Sequence, residues 1–304
     1  MMALLTIVRK LLGETRGSLL ISTLGFFGLA LLWNWGMSEF QFPTDTDEPA
    51  ASVSADSEGA ETDEPRRERR RGRAGPQIYV FFGVPAEQML GIPPSETPTL
   101  AMQAAIANHP LVFLALLGWG ISRASAAVAG EVERGTLDLT LSRPIRRSTF
   151  LAAQILATLI VFALLGLAIT AGHLASTRLI YRLNGTPPPI DYLPMIGSLI
   201  ALGMAVFGYT LPISSGSLSR ARAGIIGLAI TLTGIAGIIF ARQYEEYDWV
   251  ANLSVFQFYA PVANTLSPTQ EQWTDLGILV GVFAVGSIIS FVIFLRRDLP
   301  SNSG

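Results

Sequence analysis

The chain has 304 residues, of which 50% are hydrophobic and 14% charged, and its formal net charge is −2. Soluble domains carry about 25% charged residues, so much of this chain is built to face something other than water. The near-neutral charge speaks against a nucleic-acid partner. The lack of cysteine excludes disulfides, thiol catalysis and Cys-based metal sites, and two distant histidines, His109 and His173, give no basis for a metal cluster.

Residues 1–16 come first. Leu4, Leu5, Ile7, Val8, Leu11 and Leu12 recur at helical spacing on one face, with Thr6, Arg9, Lys10 and Glu14 on the other. The pattern predicts an amphipathic helix on the membrane surface, with a plain extension of the first span as the alternative; Gly13 and Gly17 offer a bend. A bilayer core of about 30 Å needs roughly 20 apolar residues of helix. The stretch 17–36 meets that demand. The residues Trp33-Asn34-Trp35-Gly36-Met37-Ser38 hold no small-x-small cleavage site, and the paired tryptophans suit an aromatic belt, so this is read as a retained span and not a cleaved signal.

Residues 37–99 form a long loop. Its 43–75 portion holds nine acidic and six basic residues and almost no large apolar side chains, so disorder is expected there. The following run, 77–82, is apolar and β-prone or interfacial. Five further spans follow at 100–129, 150–174, 192–215, 223–241 and 275–295, joined by loops at 130–149, 175–191, 216–222 and 242–274 and closed by a tail at 296–304. Pro110 is expected to kink the second span. Arg123 is placed near the inner interface, where it snorkels to headgroups, and His173 at the outer interface. Gly277 and Gly281 form a Gly-x-x-x-Gly pair suited to helix packing, within one subunit or between two, and Gly224, Gly227, Gly234 and Gly237 line the fifth span.

Orientation follows from arginines in short loops. With the N-terminus inside, the short inner segments hold twelve basic residues: Arg9, Lys10, Arg16, Arg123, Arg134, Arg143, Arg146, Arg147, Arg220, Arg222, Arg296 and Arg297. The short outer segments hold three, Arg178, Arg182 and Arg242. The arginine run 66–73 opposes this bias, but long loops translocate largely regardless of charge. The expected fold class is therefore an all-α integral membrane protein. It has six transmembrane helices, an N-terminal amphipathic interfacial helix and both termini cytoplasmic.

The loop 130–149 carries the most information. It contains Gly130-Glu131-Val132-Glu133-Arg134-Gly135-Thr136-Leu137-Asp138-Leu139, then Leu141-Ser142-Arg143-Pro144-Ile145-Arg146-Arg147. Glu131 and Glu133 sit where water is expected to begin. Gly135 permits a sharp break. Thr136 is positioned to cap a short helix over 137–142, with Asp138 in its first turn, and Pro144 ends it. Arg146 and Arg147 anchor the start of span three. The result is a short cytoplasmic helix between spans 2 and 3, able to receive force from a partner.

This string resembles the first cytoplasmic loop of ABC-2 type transporter permeases, in which a Glu-x-Glu-x-Gly-Thr-Leu run and then a Leu-Ser-x-Pro-x-x-Arg run precede the third span. Glu131, Glu133, Gly135, Thr136, Leu141, Ser142, Pro144 and Arg147 match. The ending Phe294-Leu295-Arg296-Arg297-Asp298-Leu299 and the segment Leu253-Ser254-Val255-Phe256-Gln257-Phe258-Tyr259-Ala260-Pro261 are similar to family features as well; the 43–75 insert departs from the pattern. The resemblance implies a permease subunit, most often an exporter, in the plasma (inner) membrane. It also implies a separate nucleotide-binding ATPase subunit holding ATP and Mg, and a second permease subunit in a homo- or heterodimer. The short helix becomes a coupling helix with Glu131, Glu133, Gly135, Thr136, Leu137, Leu141, Pro144 and Arg147 as coupling residues.

A Walker A loop needs a lysine, and the only lysine here, Lys10, follows no glycine-rich loop, so an ATPase site is not expected in this chain, and neither is a bound cofactor. Spans three to six hold almost no charge, which argues against ion-coupled transport. An intramembrane enzyme would need convergent nucleophile, acid or base groups at membrane depth, and none is found. The remaining rival is a non-transporting membrane scaffold or assembly subunit whose working part is the 43–75 loop.

Overall fold

The computed structural model describes residues 2–39, 79–80, 84–85, 99–142, 145–180, 187–266 and 270–297. The acidic-basic stretch 43–75 and Pro144 lie outside these residues, as does 77–82 apart from Tyr79 and Val80. Those two form strand β1 (Tyr79–Val80), which pairs antiparallel with β2 (Val84–Pro85). All other regular structure among the described residues is helical. Six helices among the described residues are long and apolar enough to cross a membrane, and the protein is an all-α, multi-pass membrane protein.

Helix α1 (Met2–Glu14) is separated from α2 (Arg16–Glu39) by Thr15 alone, whose hydroxyl donates back to the Leu11 carbonyl at 3.1 Å. The break therefore falls at Thr15, between the two glycines expected to bend. The apolar face of α1, with Ile7, Val8 and Leu11 buried, packs on Ala153 and Ala157 at the start of α6 (Arg147–Leu179). Its anchor is thus a protein surface as well as any membrane. Along α2, a Cβ on Gly172 of α6 would come within 2.6 Å of the Phe27 carbonyl oxygen and 2.7 Å of Ala30, so this helix pair depends on a missing side chain.

The long helix within 100–129 starts at Pro110. Helix α3 (Thr99–Ala104) and a 3-10 turn (Ala105–Asn108) run into His109, which is extended (φ −63°, ψ 136°), and α4 (Pro110–Ser125) begins anew. A residue before proline is driven out of the α region, so Pro110 breaks the chain where a kink was expected. Pro110 occupies the first position of α4, and His109 caps it, Nδ1 accepting from the Leu111 N–H at 3.2 Å.

Helix α7 (Leu193–Gly216) is the hub: 72% of its apolar window is buried, against 17% for α2 and for α8 (Arg220–Gln243). It packs against α4, α6, α8 and the short α10 (Pro261–Leu266), and most extensively against α11 (Gln270–Arg296). That last contact is backbone on backbone. A Cβ on Gly286 would clash with the Gly208 carbonyl, and one on Gly208 would fall 2.6 Å from the Phe283 Cα. Gly277 and Gly281, expected to pack helices, face open space with nothing within 4 Å of their added Cβ positions. The close approach in α11 is made one turn further on, where the facing residue of α7 is also a glycine.

His173 is fully buried inside the protein. Asn34 of α2 lies 2.7 Å from its Nδ1, and its ring stacks on Tyr192 at 5.7 Å, whose hydroxyl donates to Gln103 at 2.5 Å. This polar network joins α2, α3, α6 and the start of α7 at the end of the bundle opposite α1.

Candidate functional site

At the α1 end, α4 does not stop at Ser125. It widens into a π-helical turn (Ala126–Gly130) and closes with one α-helical turn, Glu131–Glu133. A wider turn leaves backbone groups of the helix without their usual partners. Ser214 of α7 supplies them: its hydroxyl oxygen accepts from the N–H groups of Val128 at 3.3 Å and Ala129 at 3.0 Å, while its O–H donates to the Ser125 carbonyl at 3.1 Å. The hub helix thus fixes the exit angle of the second span.

Gly135 then reverses the chain in the left-handed region (φ 69°, ψ 11°), which a side chain would disfavour by roughly 1–2 kcal/mol. Its N–H donates to the Val132 carbonyl at 3.0 Å, ending one helical turn, and its own conformation starts α5 (Thr136–Leu141). Thr136 is consequently not the cap. It stands at the first helical position, and its hydroxyl donates to Glu131 Oε2 at 2.6 Å.

Glu131 is also not where water begins: it is 6% exposed. One carboxylate oxygen takes the Thr136 hydroxyl and the other takes Arg134 Nη2 at 2.5 Å. Arg134 is about half exposed, so solvent screens the ion pair toward the value of a surface pair, under about 1 kcal/mol. The larger consequence is that a buried carboxylate stripped of its donors costs about 1–3 kcal/mol. Glu131 is therefore a brace that ties the end of the second span to α5.

Glu133 points the other way. Its Oε2 accepts the backbone N–H of Arg220, the first residue of α8, at 2.6 Å. That N–H is one of the donors a helix cannot satisfy internally, and a carboxylate there also complements the helix dipole. Leu137 is 2% exposed and, with Val132 and Leu141, packs into the main core beside Phe150 and Phe294, whose rings lie 5.9 Å apart. Arg147 donates to the Arg297 carbonyl at 2.8 Å, and Arg297 donates to the carbonyls of Ser215 and Ser217 at 2.9 and 3.0 Å. These arginines tie the start of α6 to the ends of α7 and α11.

The predicted residues thus form one connected structure, Pro144 being outside the described residues and Gly277 and Gly281 standing apart in α11. Two contributors were not singled out from sequence, Ser214 and Leu139, while Arg297 was noted there only in the Arg-Asp ending and the charge bias. Leu139 is 71% exposed on α5, on the side away from buried Leu137. Among the described residues no cluster of three His, Cys, Asp or Glu side chains is placed to hold a metal ion.

A short helix is locked to the second span by Glu131 and Thr136 and to the core by Leu137, and Glu133 joins its preceding turn to α8. It presents a bare apolar side chain outward. Through these contacts α5 and the turn before it touch the second span, the core and α8. The model of a known family, described as ABC-2 family transporter protein, matches residues 45–299. No curated protein matches the chain significantly.

Proposed function

The chain belongs to the ABC-2 family of transporter proteins, and from that premise we propose that it is an export permease driven by a separate ATPase subunit that docks on α5. The observation that carries the docking site is the contrast within α5: Leu137 buried at 2% and Leu139 exposed at 71%. An exposed leucine on a braced helix is suited to a partner's apolar notch, and the brace carries the partner's movement to the spans.

On this reading the α1 end faces the cytoplasm, as the twelve-to-three bias of basic residues favours, in the plasma (inner) membrane. ATP and Mg belong to the partner. Glu131, Glu133, Gly135, Thr136, Leu137, Leu141, Pro144 and Arg147 couple nucleotide-driven movement to the spans. A second permease subunit completes the transporter; α2 and α8, at 17% buried, leave broad apolar faces for lipid or for that subunit.

The test is purification of the tagged chain in mild detergent with mass spectrometry of what accompanies it. A stoichiometric Walker A protein that is lost from the Leu139→Asp variant supports the reading. A folded, intact chain without any ATPase overturns it.

A further inference from the structure

Arg123 ends α4 at the α1 end of the bundle, and it is 8% exposed, where a snorkelling arginine would be largely solvated. Its Nε and Nη2 have no hydrogen-bond partner among the described residues. Among the described residues it makes no ion pair; Glu14, in the wall of the same cleft, pairs with Lys10 at 3.6 Å. Buried charges are ordinarily paired, so a guanidinium held in this state marks a place where an anion belongs.

The space beside it is open. A cleft of about 520 Å³ lies between the α1–α2 corner and α4, reaching α6 and α8, with Arg123, Arg134, Arg220, Glu14, Ser122 and Trp119 among its walls. Arg134 is committed to Glu131. Arg220 reaches in from α8, its Nη2 donating to Ser122 Oγ at 3.2 Å, with no carboxylate on its guanidinium among the described residues. Two guanidinium groups without a carboxylate partner among the described residues, those of Arg123 and Arg220, therefore line this cleft. The other walls, Ala115, Gly118 and Trp119, continue one to two helical turns toward the middle of the span. Trp119 is held by a hydrogen bond from Nε1 to Ser22 Oγ at 3.0 Å.

We propose that this cleft binds the phosphate group of an anionic amphiphile, Arg123 and Arg220 taking the phosphate and the Trp119 side of the gap taking the start of its apolar chain. A phosphate offers several acceptor oxygens to two forked donors, and the apolar continuation matches a tail entering from the bilayer. The proposal rests on the membrane architecture and not on the transport reading, because its test is binding by the permease alone.

The experiment is native mass spectrometry of the purified protein, titrated with phosphatidylglycerol or with zwitterionic phosphatidylcholine. Phosphatidylglycerol is expected to bind selectively. Arg123→Gln should weaken it by roughly tenfold or more, as loss of a charged hydrogen bond implies, whereas Arg123→Lys, which keeps the charge but not the fork, should weaken it less. Arg220→Gln should weaken it too. That variant leaves the backbone N–H held by Glu133 in place, so it serves if Arg123→Gln is not recovered folded. Displacement of the lipid by inorganic phosphate would assign the site to the phosphate group itself; resistance to displacement would make the apolar chain part of the ligand. Equal binding of the two lipids, or unchanged phosphatidylglycerol binding in both Gln variants, would overturn the proposal.

Discussion

Glu133 accepts the backbone N–H of Arg220 at 2.6 Å, so the last turn of the second span caps the first turn of α8 across 87 residues of sequence. The bond is exposed, and its loss costs about 1 kcal/mol, the value of a helix cap. Its mechanical role is larger than its energy, because it is a direct tie between the turn before α5 and α8. Glu133→Lys is expected to leave membrane insertion and thermal unfolding almost unchanged, while transport falls and partner ATP hydrolysis continues. Transport and hydrolysis measured together in proteoliposomes check this; normal values of both would remove Glu133 from the coupling path.

Gly135 carries the reversal between the second span and α5, and its φ of 69° orders the substitutions. Asn tolerates the left-handed region, a β-branched residue does not, and Pro can neither adopt it nor donate to Val132. Gly135→Asn should retain most transport, Gly135→Val should lose roughly 1–2 kcal/mol of local stability, and Gly135→Pro should abolish coupling with the protein still inserted. Transport assays on the three variants give the ranking.

Much of this arrangement was legible beforehand. Six apolar runs predict six spans, because lipid imposes a length and a composition on each. The acid-glycine-threonine string marks the short helix because a glycine between two helical turns has few other uses. Other features depended on partners distant in sequence. Glu131 was expected in water, and only the fold shows that Arg134, Thr136 and the packed core enclose it. Gly277 and Gly281 match a packing motif by spacing, yet a motif does not say which face of a helix meets its neighbour; Gly208 and Gly286, in different helices, have no shared pattern to find. Ser214 is one serine among several in α7, and its role exists only because α4 widens beside it.

Ser214→Ala removes the hydroxyl that serves two N–H groups and one carbonyl of the π-helical turn. Buried and left unsatisfied, these groups should cost about 1–3 kcal/mol in total. Thermal unfolding in detergent is expected to drop accordingly, and a variant as stable as the parent would mean that the turn relaxes to ordinary α-helix.

The α7–α11 contact gives a paired comparison. Gly286→Leu forces a side chain into the Gly208 backbone and should destabilise by at least the 1–3 kcal/mol typical of overpacking. Gly281→Ala, facing open space, should stay within about 0.5 kcal/mol of the parent. Thermal unfolding of the two side by side separates a glycine packed within the chain from one that meets nothing within it.

The docking of an ATPase subunit on α5 is tested most directly by a photo-crosslinking amino acid placed at Leu139, exposed at the α1 end, with Leu253 at the opposite end as the control. The expected result in native membranes is a crosslink from position 139 to a Walker A protein and none from position 253. A crosslink from 253 alone, or none from 139 in a transporting preparation, would contradict both the docking site and the orientation.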